Sequence, residues 1–126
     1  MVREIKFRGF NRKNGVWLYG FYLQNRGAHF IAPEEFADGK SWDDYEIDPE
    51  TRGEYSGMKD EHGHEIFEGD VIECGANRYV CEFTEGGFEF RDLSYDWLIL
   101  RDIVIRSRSR LHVIGNIHDN PELIEL

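Results

Sequence analysis

The chain has 126 residues, a formal net charge of −10, 40% hydrophobic and 14% aromatic residues. That is one domain's length with enough aromatic material for a packed core, which excludes a disordered chain. The acidic balance counts against nonspecific nucleic-acid binding, which is mostly electrostatic. Two cysteines are too few for a disulfide scaffold, the opening MVREIKFRGF lacks a signal peptide's apolar core, and the longest apolar run, Trp97 to Leu100, is four residues. The expectation is a single domain, residues 1–126, in a soluble cytoplasmic protein with no membrane contact.

In chain order, Ile5, Phe7 and Gly9 alternate with charged residues at strand spacing. Asn11 to Gly15 is a turn, and Val16 to Leu23 is rich in strand formers, so the two strands are expected to form a hairpin. Gly20 inside the second strand marks a bulge or a close backbone approach. A short run, Ala28 to Ala32, follows a polar break. Pro33-Glu34-Glu35-Phe36 has the composition of a single helical turn, with Pro first and acids at the positive end. Asp38 to Pro49 reads as an acidic loop, with a strand near Tyr45–Ile47.

The second half is punctuated by turns. Asp60-Glu61-His62-Gly63 has Asp at the first and Gly at the fourth position of a type I turn. Glu68-Gly69-Asp70 is a second turn, opening onto Val71 to Cys74. Gly75 to Arg78 is a third, leading into Tyr79 to Phe83. A turn at Glu85-Gly86-Gly87 leads into Phe88 to Phe90. Residues 93–105 fit both a helical stripe (Leu93, Trp97, Leu100, Val104) and apolar strand runs, and strand is favoured. Leu111 to Ile117 is a further strand, and Asn120-Pro121-Glu122 starts a terminal helical turn. Short strands with Gly turns every 8–12 residues predict an all-β fold, a small partly open barrel or a sandwich.

The charge is unevenly spread. Residues 1–33 carry +5, residues 34–70 carry −11 and residues 71–126 carry −4. The basic start and acidic middle can pair within one chain or head to tail between copies; pairing within the chain is the plainer reading.

Several clusters could carry chemistry. His62 and His64 are two residues apart, and on a strand that spacing would aim two imidazoles at one metal ion. His62, however, falls inside a turn, so a solvated polar turn is favoured over a metal site. Cys74 and Cys81 have a spacing that matches no zinc pattern. A hairpin centred between Ala76 and Asn77 would make their thiols diagonal neighbours, and buried free thiols are expected. Asp43, Asp44, Glu46 and Asp48 lack the spacing of a calcium loop. Arg106, Arg108 and Arg110 alternate with serine, so an extended chain would present all three on one face that could hold phosphates. The plainer reading is a charged edge or loop protected from strand pairing.

Three segments in order carry a family resemblance. They are Arg3 to Gly9; Asp48 to Thr51 with Tyr55 to Asp60, Gly63 and Ile66 to Ile72; and Val113 to Leu123. Together they resemble the YopX family, small proteins of bacteriophages and prophages. The resemblance implies a mostly β fold and a phage or prophage origin, and it implies no reaction. The chain departs from the family pattern at Ser56, at His62 where relatives have Asn, and at His118 where they have Tyr. These departures count against a family-wide histidine metal site. The matching positions Asp60, Gly63, Gly69, Asp70, Gly115 and Asn116 read as turn and cap residues that backbone geometry explains.

The functional expectation is a nonenzymatic accessory protein without a cofactor, binding a host or phage protein or forming a homo-oligomer. Nucleic-acid binding through Arg106, Arg108 and Arg110 is the alternative, and a metal-dependent enzyme using His62 and His64 ranks below it.

Overall fold

The structure is a computed structural model that describes residues 4–84, 87–93, 99–100 and 110–124. The Asn11–Gly15 turn closes the expected hairpin: β1 (Phe7–Asn11) runs antiparallel to β2 (Val16–Asn25), with Asn11 opposite Val16. A tight turn at Arg26-Gly27 returns the chain as β3 (Ala28–Ala32), paired to the end of β2. Gly20 marks a close approach, since a Cβ there would stand 2.2 Å from the Ala32 carbonyl oxygen.

Two expectations for the next segment fail. Residues 33–36 form no helical turn. So short a turn leaves its amides without intrahelical partners. Instead the Phe36 ring packs edge-on against Tyr45 and Trp42, and the Ala37 N–H donates to the Tyr45 hydroxyl at 3.3 Å. The strand expected near Tyr45–Ile47 shrinks to one bridge, Phe30 opposite Glu46, flanked by hydrogen bonds from Ile31 N–H to Tyr45 and from Ile47 N–H to His29. Short 3-10 turns at Trp42–Asp44 and Pro49–Thr51 bound it on both sides and leave no length for a ladder.

The chain divides into two compact units, residues 1–55 and 56–126. In the first, the strand order is β3-β2-β1-β4, where β4 (Gly53–Lys59) sets Gly53 and Glu54 against Arg8 and Phe7. Its buried apolar residues are Ile31, Ala32, Tyr45, Ile47 and Tyr55. Gly9 makes room for Ile47: a Cβ on Gly9 would stand 2.4 Å from Ile47 Cδ1. Asn11, 1% exposed, pins the acidic loop to the hairpin. Its Nδ2 donates to the carbonyls of Asp43 (3.1 Å) and Glu46 (2.7 Å), and its Oδ1 accepts from Asn14 N–H at 2.7 Å.

In the second unit, the end of β4 neighbours β5 (Glu65–Phe67). The main sheet there is antiparallel, in the order β10-β6-β7-β8-β9. Its strands are β6 (Asp70–Cys74), β7 (Asn77–Thr84), β8 (Gly87–Asp92), β9 (Ile99–Leu100) and β10 (Leu111–Asn116). Both faces are buried. Ile66, Ile72, Tyr79, Cys81, Phe90 and Leu111 form one cluster, and Val71, Val80 and Leu93 the other. This explains why Val71-Ile72 reads as continuous rather than alternating hydrophobicity. Burial and the nearby Asp92 charge push the Tyr79 phenol up.

The fold is thus mostly β, built from two antiparallel sheets that do not close into a barrel. Strand at Ile99–Leu100 matches the favoured reading there; residues 94–98 and 101–105 lie outside the described residues. The β6–β7 register differs from expectation. Cys74 faces Asn77 and Ile72 faces Tyr79, so the turn is the two-residue Gly75-Ala76 rather than a longer one. Two-residue turns match strand twist best, and Gly75 supplies the positive φ, +62°. The two free thiols are therefore further apart along the ladder than diagonal neighbours. The terminal turn forms as a 3-10 turn, Pro121–Ile124. The Asn120 side chain accepts from the Asn116 N–H at 3.2 Å, stapling the turn back onto β10. No helix among the described residues is long and apolar enough to cross a membrane.

Candidate functional site

The Asp60–Gly63 turn is built on one carboxylate. Gly63, at φ +82°, donates its N–H to the Asp60 carbonyl at 3.0 Å, closing the turn. Asp60 Oδ1 accepts from the N–H groups of His62 (2.9 Å) and His64 (2.8 Å). Asp60 Oδ2 accepts from Val113 N–H at 3.0 Å and meets His64 Nδ1 at 3.1 Å. The Asp60 side chain is 1% exposed. Burial alone would push this carboxyl up. The N–H groups of Val113, His64 and His62, with the His64 ring, outweigh it and hold the carboxyl at about 2.

The same contacts stitch the turn to β10. Val113 N–H bonds Asp60, and Glu61 N–H donates to the Leu111 carbonyl at 3.1 Å. Between those anchors stands His112. Strand alternation points it away from Leu111, which is buried in the core cluster. His112 Nε2 lies 2.6 Å from Glu61 Oε1, and His112 Nδ1 lies 3.2 Å from His62 Nε2. His62 Nε2 is also 3.4 Å from Glu61 Oε1. The imidazole that joins His62 is therefore His112 and not His64, whose ring is engaged by Asp60. Sequence reasoning missed His112 because its partner is fifty residues away. Its only local signal is its outward position between Leu111 and Val113.

The other singled-out residues are placed as follows. Arg110 is exposed immediately before β10, while Arg106 and Arg108 lie outside the described residues. Gly69 turns the chain between β5 and β6, and Asp70 Oδ2 accepts from Phe67 N–H at 2.7 Å across that turn. Gly115 stands inside β10 at a bulge, not in a turn. A Cβ there would meet Asn120 Oδ1 at 2.4 Å, so a close approach requires the glycine. Asn116 Oδ1 accepts from His118 and Asp119 N–H groups at 2.9 and 2.8 Å, shaping the next turn.

A second locus lies in the first unit, where the acidic loop meets the β1–β2 hairpin tip around an open cleft of about 420 Å³. Arg12 pairs with Asp48 at 2.5 Å, and Lys13 with Asp43 at 3.1 Å and Asp44 at 3.0 Å. Basic start and acidic middle thus meet within one chain. Hydrogen bonds to Asp44 and Asp43 hold Lys13 up. Asp43 is held down by the Ser41 hydroxyl and Lys13, and Asp44 well down by the Ser41 backbone, Asn14 and Lys13. These acids are ion-paired side chains rather than an open calcium loop. Beyond them, Trp42 contacts Phe30 and Phe36 edge-on, with centroids 5.6 and 5.9 Å apart, and Phe36 and Trp42 both remain more than half exposed.

Comparison with known proteins gives a family and a structural relative. A family model described as YopX protein matches residues 6–125. The solved structure titled "Crystal structure of protein EF1440 from Enterococcus faecalis" is similar, with 25% identity and a TM-score of 0.61. The similarity covers 98% of this chain and 100% of that one. No curated protein matches.

Proposed function

This chain belongs to the YopX family, and we propose that it is a nonenzymatic accessory protein of a bacteriophage or prophage that works by binding another protein. The observation that carries the reading is the Phe36–Trp42 pair. Both rings are more than half exposed on a segment, residues 34–50, that holds eight acids and one base. Exposed aromatic area is unfavourable in water, and burying it against a partner recovers about 25 cal/mol per Å². A tryptophan ring beside carboxylates offers a Lys or Arg both an ion pair and a π face. The partner's chemistry is therefore a basic protein surface with an apolar centre. On β2, Tyr19 and Phe21 share one face and are each at least half exposed, which adds apolar area to the first unit's surface. The family resemblance supports the phage or prophage origin.

The test is affinity capture from the producing cell with the wild type and with the Trp42→Ala/Phe36→Ala double variant. The reading expects a protein held by the wild type, released by rising salt and lost with the variant, while the variant keeps the wild-type far-UV spectrum and a cooperative urea transition. Identical capture by both overturns it. A light-scattering mass identifies the partner as a second copy if the wild type is dimeric and the variant monomeric.

A further inference from the structure

We propose that Glu61, His62 and His112 form a binding site for a divalent transition-metal ion of the zinc type, linking the Asp60–Gly63 turn to β10. Their ligand atoms lie within 4.8 Å of one another. His62 Nε2 is 3.2 Å from His112 Nδ1 and 3.4 Å from Glu61 Oε1. A tetrahedral ion with bonds of about 2.0–2.1 Å has ligand–ligand edges of about 3.3 Å. Two of the three edges are therefore already at coordination length without any rearrangement of the backbone.

The donor set selects the metal class. Two imidazoles and one carboxylate suit zinc and its neighbours copper and nickel, whereas calcium and magnesium require oxygen cages. The site is also built. Glu61 N–H is fixed to the Leu111 carbonyl, Val113 N–H is fixed to Asp60, and His112 lies between those anchors. Asp60 grips the turn from beneath with a nearly unexposed carboxylate, so Glu61 and His62 are carried on a positioned backbone. The ligand side chains themselves are partly open, at 32% for Glu61, 57% for His62 and 42% for His112, which gives an ion a route in and water the remaining position.

Without a metal the same atoms form a chain. The Glu61 carboxylate accepts from His112 Nε2–H, leaving Nδ1 with its lone pair toward His62. Metal binding uses that lone pair and places the single ring proton of His62 on Nδ1, so both imidazoles ligate in their neutral form. Among the described residues, charged groups near the trio include Asp60 and His64, which engage each other, Arg110, two residues before His112, and Glu73. Glu73 is the register partner of His112 on β6 and lies 3.4 Å from Arg78 Nε. His64 stands outside the trio, its ring centroid 6.1 Å from that of His62 against 4.9 Å for His112, which separates this site from the H-x-H pairing that the sequence suggests.

The test is calorimetric titration of tag-free, chelator-treated protein with ZnCl₂, followed by thermal melts with zinc, calcium or magnesium. The expectation is one zinc per chain and a melting temperature raised by zinc but not by calcium or magnesium. At a free zinc concentration 100 times Kd, the folding equilibrium shifts by about 100-fold. His62→Ala and His112→Ala each weaken binding at least tenfold, Glu61→Gln weakens it measurably, and His64→Ala leaves it within twofold. All these variants must retain the wild-type far-UV spectrum; if His112→Ala does not, His112→Gln replaces it. No saturable zinc binding, unchanged binding in His62→Ala and His112→Ala, or an equal loss in His64→Ala overturns the proposal.

Discussion

Asp60→Asn is the most informative single change to the second unit. The wild-type carboxylate accepts three backbone N–H bonds and one imidazole contact, and its carboxyl is held at about 2 against an ordinary 3.8. At about 1.4 kcal/mol per unit, that difference corresponds to about 2 kcal/mol of stability at neutral pH. The depressed value means that the contribution is complete above the unfolded value near 3.8 and disappears as pH falls through about 2. An asparagine in the same place keeps one acceptor oxygen for His62 and His64, but turns an NH₂ toward the Val113 N–H. Two donors then face each other in a buried place, which leaves an N–H unsatisfied. The expected loss at pH 7 is about 2–3 kcal/mol, or about 1 M in the urea midpoint at an m-value near 2 kcal/mol per M.

Urea melts of both proteins at pH 7, 5, 4 and 3 check this. Most of the gap should persist at pH 4, and it should fall to about half by pH 3, where much of the carboxylate's advantage is gone. A gap below about 0.5 kcal/mol at pH 7 would refute the account of Asp60 as an anchor. A gap that stays constant down to pH 3 would refute the electrostatic part of it.

Gly9→Ala puts a Cβ 2.4 Å from Ile47 Cδ1, and it should lower stability by about 1–3 kcal/mol in a denaturant melt. Gly63→Ala meets no atom within 4 Å but must hold φ +82°, so it should cost about 1 kcal/mol through backbone strain alone. Asn11→Ala strips the two carbonyls of the acidic loop of their donor and should cost about 2 kcal/mol or more, measured the same way. Iodoacetamide under native conditions should label Cys74 faster than Cys81, which is fully buried, and mass spectrometry of the native protein should show both thiols free.

The legible parts of the fold were those written in local chemistry. Asn-Gly and Asp-x-x-Gly turns are decided within four residues, so the first hairpin and the Asp60 turn could be placed from sequence. Failures came where a side chain outbid a local preference. Pro33 to Phe36 has helix-start composition, yet Phe36 gains more from Tyr45 and Trp42 than four residues gain from one turn. The β6–β7 register slipped because Gly75-Ala76-Asn77-Arg78 allows two turn lengths, and the buried set Ile72, Tyr79 and Cys81 decides between them only in three dimensions. Gly115 read as a turn glycine, whereas its reason is the Asn120 side chain pressing on a strand.

The candidate metal trio shows a deeper limit of the same kind. Histidines two apart drew attention to His62 and His64, but a turn does not obey strand alternation, and Asp60 claims His64. What places His112 beside His62 is the pairing of a turn amide with a β10 carbonyl, a contact invisible in either segment alone. The division of labour within the turn follows from this. Asp60 and Gly63 carry the backbone and Glu61 and His62 the exposed chemistry, so fold and metal affinity should separate by mutation. Asp60→Asn should lower stability in zinc-free buffer, while His62→Ala should leave zinc-free stability unchanged and remove only the stabilisation that zinc adds. If the two variants lost zinc-free stability equally, His62 would be a structural member of the turn, and the case for a ligand role would fall with it.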